Sequence, residues 1–503
     1  MKLLKNKYLL YLLSTCSLAI SCTDLQEDLH SDLTKDQAKD FLNENTDVSV
    51  LLERAYRDFD NVFLQHEGSV WLLQEVTSDA AVVPSRPSGW DNGGLYRQLH
   101  AHTWVAENNY IQSVWKTLNR GVFNSTNVLG FNPAADIAAE ARFLRAYFMF
   151  TILDLYNQVP FRNPNDNLLE PPEVLVGKDA VDFIIQEVEA ILPDLPNDNP
   201  AYRASRNGAL GFLARLYLNR GVYADRAHPQ FDPADLGKVI QYADEIQGKE
   251  LDFYWDNFVP NNNEASSELL FTIEGRGGVR SHSLWVWQHA IFPTEMNLPT
   301  GGGWNGFAAV GDFYDLFEEQ DVRRYYEHPL LKSRGYNAGF LVGQQYNPQG
   351  EPLEGVVFTK EVSKLVGAGL YEGYRPVKYI PDYGNMNSNA DNDLVLIRYA
   401  DVLLMKAEAL LRLGRESESL AIVNQIRENR QASLLTEINV DVLLAERGRE
   451  LFWEGHRRQD LIRYGKFLDA WSLKAKSSPK YLLFPLPPSD VLANDHLEQN
   501  PDF

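Results

Sequence analysis

The chain has little cysteine, little positive charge and, past its first residues, no long apolar run. Its two cysteines, Cys16 and Cys22, both stand near the N-terminus. No residue after Cys22 can therefore form a disulfide or act as a thiol nucleophile. Lysine and arginine number 47 against 69 aspartates and glutamates, a formal net charge of −22. A surface so acidic repels phosphate backbones and anionic headgroups, which argues against nucleic acid as a partner. No stretch beyond the N-terminal run approaches the roughly 20 apolar residues that a membrane-spanning helix needs. The sequence also lacks a G-x-S-x-G elbow, an H-E-x-x-H pair and a phosphate-binding loop. A carboxylate pair for glycoside hydrolysis leaves no local signature, because its members come from distant positions, so an exported glycoside hydrolase stays as the enzymatic alternative.

What is present begins at the N-terminus. Lys2, Lys5 and Lys7 precede the apolar run Tyr8 to Ile20, the layout of a signal peptide. Leu18-Ala19-Ile20-Ser21 then leads directly into Cys22 and resembles a bacterial lipobox, which assigns residues 1–21 to a lipoprotein signal peptide and Cys22 to lipidation. Its loss makes the remainder three charges more negative. A single acyl chain holds a protein only marginally, whereas two or more anchor it stably. The expected product is exported and tethered to a membrane by its lipid alone. Residues 22–33 are acidic and polar and read as a tether, with Asp24, Glu27 and Asp28 resembling an export signal to the outer face.

Helical periodicity dominates the rest. Thr34 or Asp36 is suited to cap a first helix, and Val48, Leu51, Leu52, Ala55, Tyr56 and Phe59 mark an amphipathic face. Similar patterns run over Asn109–Leu129, Asp136–Tyr156, Asp179–Leu192, Ser205–Asn219, Asp235–Ile246, Arg398–Leu413, Glu416–Arg430 and Val442–Leu461. Gly414 reads as a helix stop between two of them, and such pairs resemble tetratricopeptide repeats. Two regions break the rhythm: Thr77–Val105, with its turn cluster PSRPSGWDNGG, and about Glu250–Asn392, in which Glu268–Ile273 reads as a strand. The expected fold is mostly α, a helical scaffold carrying long irregular loops and a few short strands, with 22–225 and 226–503 as two regions of one compact unit. Binding residues concentrate on such insertions.

Five blocks carry a family resemblance: EARFLRAYFMFTILDLYNQVPF at 140–161, ALGFLARLYLNRG at 209–221, RYADVLLMKAEALLRLG at 398–414, ERGRELFWEGHRRQDLIRYGKF at 446–467 and YLLFPLPPSDVLANDHLEQNPDF at 481–503. In this order, behind a lipobox, they resemble the SusD/RagB nutrient-binding outer-membrane lipoproteins along essentially the whole chain. The resemblance implies a SusD-like fold, no catalysis, capture of a nutrient at the cell surface (most often an oligosaccharide, in some members a peptide), and delivery to a SusC-like TonB-dependent transporter. It implies no cofactor. The charged residues of the fourth block, Glu446, Arg447, Arg449, Glu450, Glu454, His456 and Arg457, read as a buried ion-pair network, and Arg142 and Arg145 as snorkelling cations seeking carboxylates.

Sugar rings present apolar C–H faces and polar edges, so their sites combine flat aromatics with hydrogen-bonding side chains. Arg86, Trp90, Asp91, Asn92 and Tyr96 supply that combination in the first irregular region, and Trp285, Trp287, Trp304 and Asn305 in the second. The period-two spacing of Trp285 and Trp287 puts them on one face of a strand. Trp71, Trp115, Trp453 and Trp471 fall in helical stretches and are assigned to packing. His100 and His102 lack a third ligand at suitable spacing for zinc. The oxygen-rich loop Asp382–Asp393 lacks the glycine and terminal glutamate of a calcium-binding hand and reads as a solvated loop.

Overall fold

The computed structural model describes residues 46–63, 67–280, 284–298, 301–385 and 390–503. Cys22, the tether and the helix start at Thr34 or Asp36 lie outside the described residues. Asp47–Phe503 forms one compact unit.

Helix starts follow local side-chain chemistry. Helix α1 (Val48–Val62) is capped by Asp47, whose carboxylate accepts from Ser49 N, and α2 (Val70–Glu75) by Ser69, which accepts from Leu72 N. After the short α3 (Leu95–Ala101), the Asn108 side chain caps α4 (Asn109–Leu129), which packs along α5 (Ala135–Tyr156). A Cβ on Gly121 would lie 2.6 Å from the Phe148 ring, so glycine there lets the two helices approach. From Ala139 to Tyr156 nearly every residue of α5 is buried, which makes it the axis of the core. Helices α6 (Gly177–Ile191), α7 (Arg206–Ala224) and α8 (Pro233–Glu245) continue the layer, the last two started by Ser205 and by Asp232 with Pro233 at the first position. Strand β1 (Ala81–Val82) lies between α2 and α3, and β2 (Leu269–Ile273) follows α8.

Helix α9 (Leu284–Ile291) carries Trp285 and Trp287, which corrects the strand expected there. Residues of a helix turn by about 100° each, so the period-two argument for a common face does not apply. Strand β3 (Ala308–Ala309) pairs antiparallel with β1, and β4 (Leu394–Arg398) with β2. The pair α10 (Tyr399–Arg412) and α11 (Glu416–Asn429) turns at Gly414, φ +74°. The expected helix Val442–Leu461 is instead two, α12 (Val440–Leu451) and α13 (Arg457–Arg463). Between them Trp453 and Gly455 take φ +61° and +82°. Buried Glu75 fastens this break by accepting from Gly455 N at 2.8 Å, and Trp71 Nε1 donates to Trp453 O at 3.0 Å. Trp453 is thus packed but not helical, and half-buried Trp471 sits in a turn bridged to Lys474.

The charged residues of the fourth block are buried in ion pairs as expected, Arg457 with Asp79, except His456, which burial holds neutral with its pKa lowered to about 4. Glu450 receives Arg323, Arg398 and Arg430 at 2.9, 2.6 and 2.8 Å. Glu446 receives Arg323 and Arg427, Glu454 receives Lys378 and Arg398, and Arg447 joins Asp401 to Asp460. These groups span β4, α10, α11, α12 and the chain around residue 323, so paired charge fixes how distant segments dock. Arg142 and Arg145 both reach Glu187 on α6.

Candidate functional site

The two irregular regions expected to bind ligand meet on this scaffold. Strand β1 is held by β3 with Ala81 opposite Ala309 and Val82 opposite Ala308. That pairing brings the turn after β1 beside the segment before β3. Residues 86–89 close on themselves, Arg86 N donating to Gly89 O at 2.8 Å and Gly89 N to Arg86 O at 2.9 Å. Trp90 leaves the turn with φ +68°, and Asn92, Gly93 and Gly94 continue in the left-handed region at +42°, +62° and +86°. For a tryptophan this conformation costs energy and persists only where surroundings enforce it.

The enforcement is visible. Trp90 Nε1 donates to Trp304 O at 2.7 Å, and its ring packs on Tyr96 and Phe307 at centroid distances of 5.7 and 5.4 Å. A Cβ on Gly306 would stand 2.2 Å from the Trp90 indole, so the ring lies directly against the glycine backbone. Trp304 is 37% exposed and Trp90 half-buried, and the bond from the Trp90 indole to the Trp304 carbonyl sets these two aromatic residues side by side along the chain. Asp91 and Asn92 are exposed beside it. Asp91 pairs with Arg97, while Asn92 Nδ2 donates to Glu67 at 2.6 Å and to the Tyr110 hydroxyl at 2.7 Å.

The other expected site residues lie beneath the surface. Tyr96 is fully buried, and burial followed by the neighbouring Tyr110 raises its phenol above the ordinary tyrosine range. Arg86 is buried and donates to Gly306 O, Gly369 O, Leu370 O and Glu372 O. Burial lowers its guanidinium to about 10, with the charge of Glu372 opposing the shift. Asn305, also buried, donates to Leu370 O at 2.8 Å and accepts from Arg375 at 2.9 Å. Arg86, Tyr96 and Asn305 therefore support the aromatic pair from below. The side chains of Trp285 and Trp287 lie outside what is described.

A third segment, 365–373, completes the surface and was not singled out in the sequence. Ser85 N donates to Leu365 O, Ala368 N donates to Ser85 O, and Gly367 N to Ser85 Oγ, each at 2.9 Å. Arg86 and Arg375 then bind the carbonyls of 369–373 from beneath. Leu370 is 36% exposed, and Tyr371, half-buried, donates to Glu295 at 2.9 Å. The run GAGLYEG offers the signal that could have found it, an aromatic among glycines inside a region already marked as irregular.

The histidines point elsewhere. His100 lies between Ala81 O and Ser472 O, and His102 between Thr77 O and the Ser477 hydroxyl. Burial first, then the Lys474 charge, hold His102 neutral with its pKa at about 2, and among the described residues no cluster of three metal-ligating side chains occurs. In the Asp382–Asp393 loop, Asp382 accepts from the backbone N–H of Gly384, Asn385 and Asp391, and Asp393 from Thr272 and Gly275. Its carboxylates serve their own chain; residues 386–389 lie outside the described residues.

Residues 291–503 match the model of the SusD family. A SusD-like protein of Formosa agariphila is 37% identical over 388 residues, spanning 72% of this chain and 73% of that one. The starch-binding protein SusD of Bacteroides thetaiotaomicron is 26% identical over 419 residues, spanning 72% of each. Among solved structures, surface glycan-binding protein A of B. thetaiotaomicron, in complex with laminarihexaose, superposes with a TM-score of 0.64 at 17% identity, covering 90% of this chain and 98% of that one.

Proposed function

The chain belongs to the SusD family, and from that premise we propose that it captures a glycan at the cell surface and passes it to a SusC-like TonB-dependent transporter. The observation that carries the glycan reading is the junction of Trp90 with the backbone of exposed Trp304. The 2.7 Å bond from Trp90 Nε1 to the backbone carbonyl of Trp304 ties an indole to the segment of another tryptophan more than 200 residues away. The two residues present flat apolar area beside the polar side chains of Asp91 and Asn92, the pairing of chemistries that a pyranose demands. A relative named for starch binding, and a fold neighbour solved with laminarihexaose, agree with it.

The protein is a binding protein, not an enzyme. In this proposal Cys22 carries the lipid that holds it at the outer membrane, facing the exterior. No described helix is long and apolar enough to cross a membrane, so the lipid alone serves as the attachment. Native affinity gels containing laminarin, starch, xylan or pectin test the glycan reading when the same mixtures are assayed for reducing sugar. Retardation by a glycan, weakened in Trp304→Ala and without sugar release, is expected. Retention of peptides with no glycan retardation would shift the ligand class, and release of sugar would overturn the non-catalytic reading. Co-purification of a β-barrel transporter with the protein tests delivery, and an unchanged membrane fraction for Cys22→Ala would overturn the anchor.

A further inference from the structure

We infer that Tyr371 and Glu295 form a third wall of the binding surface and make the hydrogen bonds that select among glycans, an inference that rests on the glycan reading above. Neither residue belongs to the aromatic pair, yet both are built into its frame. Segment 365–373 is fastened along Ser85 and Arg86 by hydrogen bonds from both backbone and side chain. On its other side Asn305, directly after Trp304, holds Leu370 O. The backbone of exposed Leu370 and of Tyr371, whose ring packs on Phe358, is thereby fastened to the residue after Trp304 and cannot drift without breaking bonds to two buried arginines.

The loop is closed by Tyr371 itself, whose hydroxyl donates to Glu295 Oε1 at 2.9 Å. Glu295 lies in the turn that follows α9, where Gly303 N donates to Pro293 O at 3.3 Å, so the path returns to Trp304. The phenol is raised to about 12 by burial and by its bond to Glu295, so it stays protonated as the donor. With one carboxylate oxygen occupied by Tyr371, exposed Glu295 has a second with which to accept from a sugar hydroxyl. A carboxylate oriented in advance costs a ligand less ordering than a freely rotating one. The indoles recognise any pyranose face, whereas hydrogen bonds at a fixed edge distinguish one hydroxyl configuration from another.

Isothermal titration of the purified protein with laminarin, starch, xylan and pectin, beside Trp304→Ala, Tyr371→Ala, Tyr371→Phe and Glu295→Gln, tests the assignment. For whichever glycan binds, Tyr371→Ala is expected to weaken affinity tenfold or more, and Tyr371→Phe and Glu295→Gln about fivefold each, the size of one lost hydrogen bond. Should Tyr371→Ala melt earlier than the unsubstituted protein, Tyr371→Phe decides, because it keeps the ring and removes only the donor. Loss of binding in Trp304→Ala with Tyr371→Phe and Glu295→Gln both within twofold of the unsubstituted protein would overturn this wall and leave the aromatic pair standing. No binding of any of the four glycans by the unsubstituted protein would overturn the glycan reading and this inference with it.

Discussion

Glu450→Gln is the sharpest probe of the scaffold. Glu450 is fully buried on α12 and receives three guanidiniums, those of Arg323, Arg398 and Arg430. Glutamine keeps the volume and one acceptor but removes the charge and turns an N–H₂ toward cationic donors. Breaking a buried pair costs about 3–5 kcal/mol, because a buried charge is left uncompensated. Each arginine keeps another partner here: Arg323 has Asp321 and Glu446, Arg398 has Glu268 and Glu454, and Arg430 has Glu268. The loss should therefore fall at the lower end, about 3 kcal/mol. With an unfolding entropy of roughly 2.1 cal/mol/K per residue over about 450 residues, that lowers Tm by about 3 °C. Burial works against ionisation of Glu450, but the three guanidiniums prevail and hold its carboxyl well below the usual range. A depressed folded pKa gives stability that is present above the unfolded value near 4.3 and is lost as pH falls through the folded value. Urea unfolding at pH 7, with Glu418→Gln at the exposed pair with Arg415 as reference, measures the difference. The reference should change stability little, because solvent screens an exposed pair. A Glu450→Gln loss below about 1 kcal/mol, or equal to that of Glu418→Gln, would refute the reasoning.

Three further outcomes are expected. Burial pushes the Glu75 carboxyl up to about 7 against the bonds from Gly455 and His456. The folded state then holds its proton more tightly than the unfolded chain, so this group lowers stability as pH rises from about 4.5 to 7; melting curves across that window should slope less in Glu75→Gln, and equal slopes would contradict this. Gly306→Ala places a Cβ within 2.2 Å of the Trp90 indole, so affinity gels should show weakened glycan retention, and unchanged retention would mean that the seat of Trp90 does not matter. Gly121→Ala drives a methyl to 2.6 Å from Phe148 between α4 and α5; overpacking of this kind costs about 1–3 kcal/mol, and unaltered urea unfolding would show that the helices yield.

Much of the scaffold was legible in the sequence because periodicity and capping agree. The stretch Asn109–Leu129 stands as a helix with the bounds read from its pattern, opened by Asn108. The break inside Val442–Leu461 was not legible, because it depends on Glu75, some 380 residues earlier, accepting from the backbone of Gly455 and His456. Trp285 and Trp287 misled because alternation over three residues cannot separate a strand from one helical turn. At the site, composition led to both irregular regions but could not rank their residues. Arg86, Tyr96 and Asn305 have the chemistry of ligand contacts, yet tertiary packing gave them carbonyl and aromatic partners and sank them under Trp90 and Trp304. Tyr371 joins them through long-range bonds, those of Ser85–Arg86 to 365–373, nearly 300 residues apart, and those of Asn305 and Glu295 to Leu370 and Tyr371.

The central claim is that Trp90 and Trp304, joined across the chain, form the surface on which the ligand rests. A crystal structure of the protein soaked with an oligosaccharide of the glycan that retards it tests this most directly. A pyranose ring stacked on Trp304, with its edge toward Asp91, Asn92 or Glu295, is the expected result. Sugar density elsewhere on the molecule, with the two indoles untouched, would contradict the account.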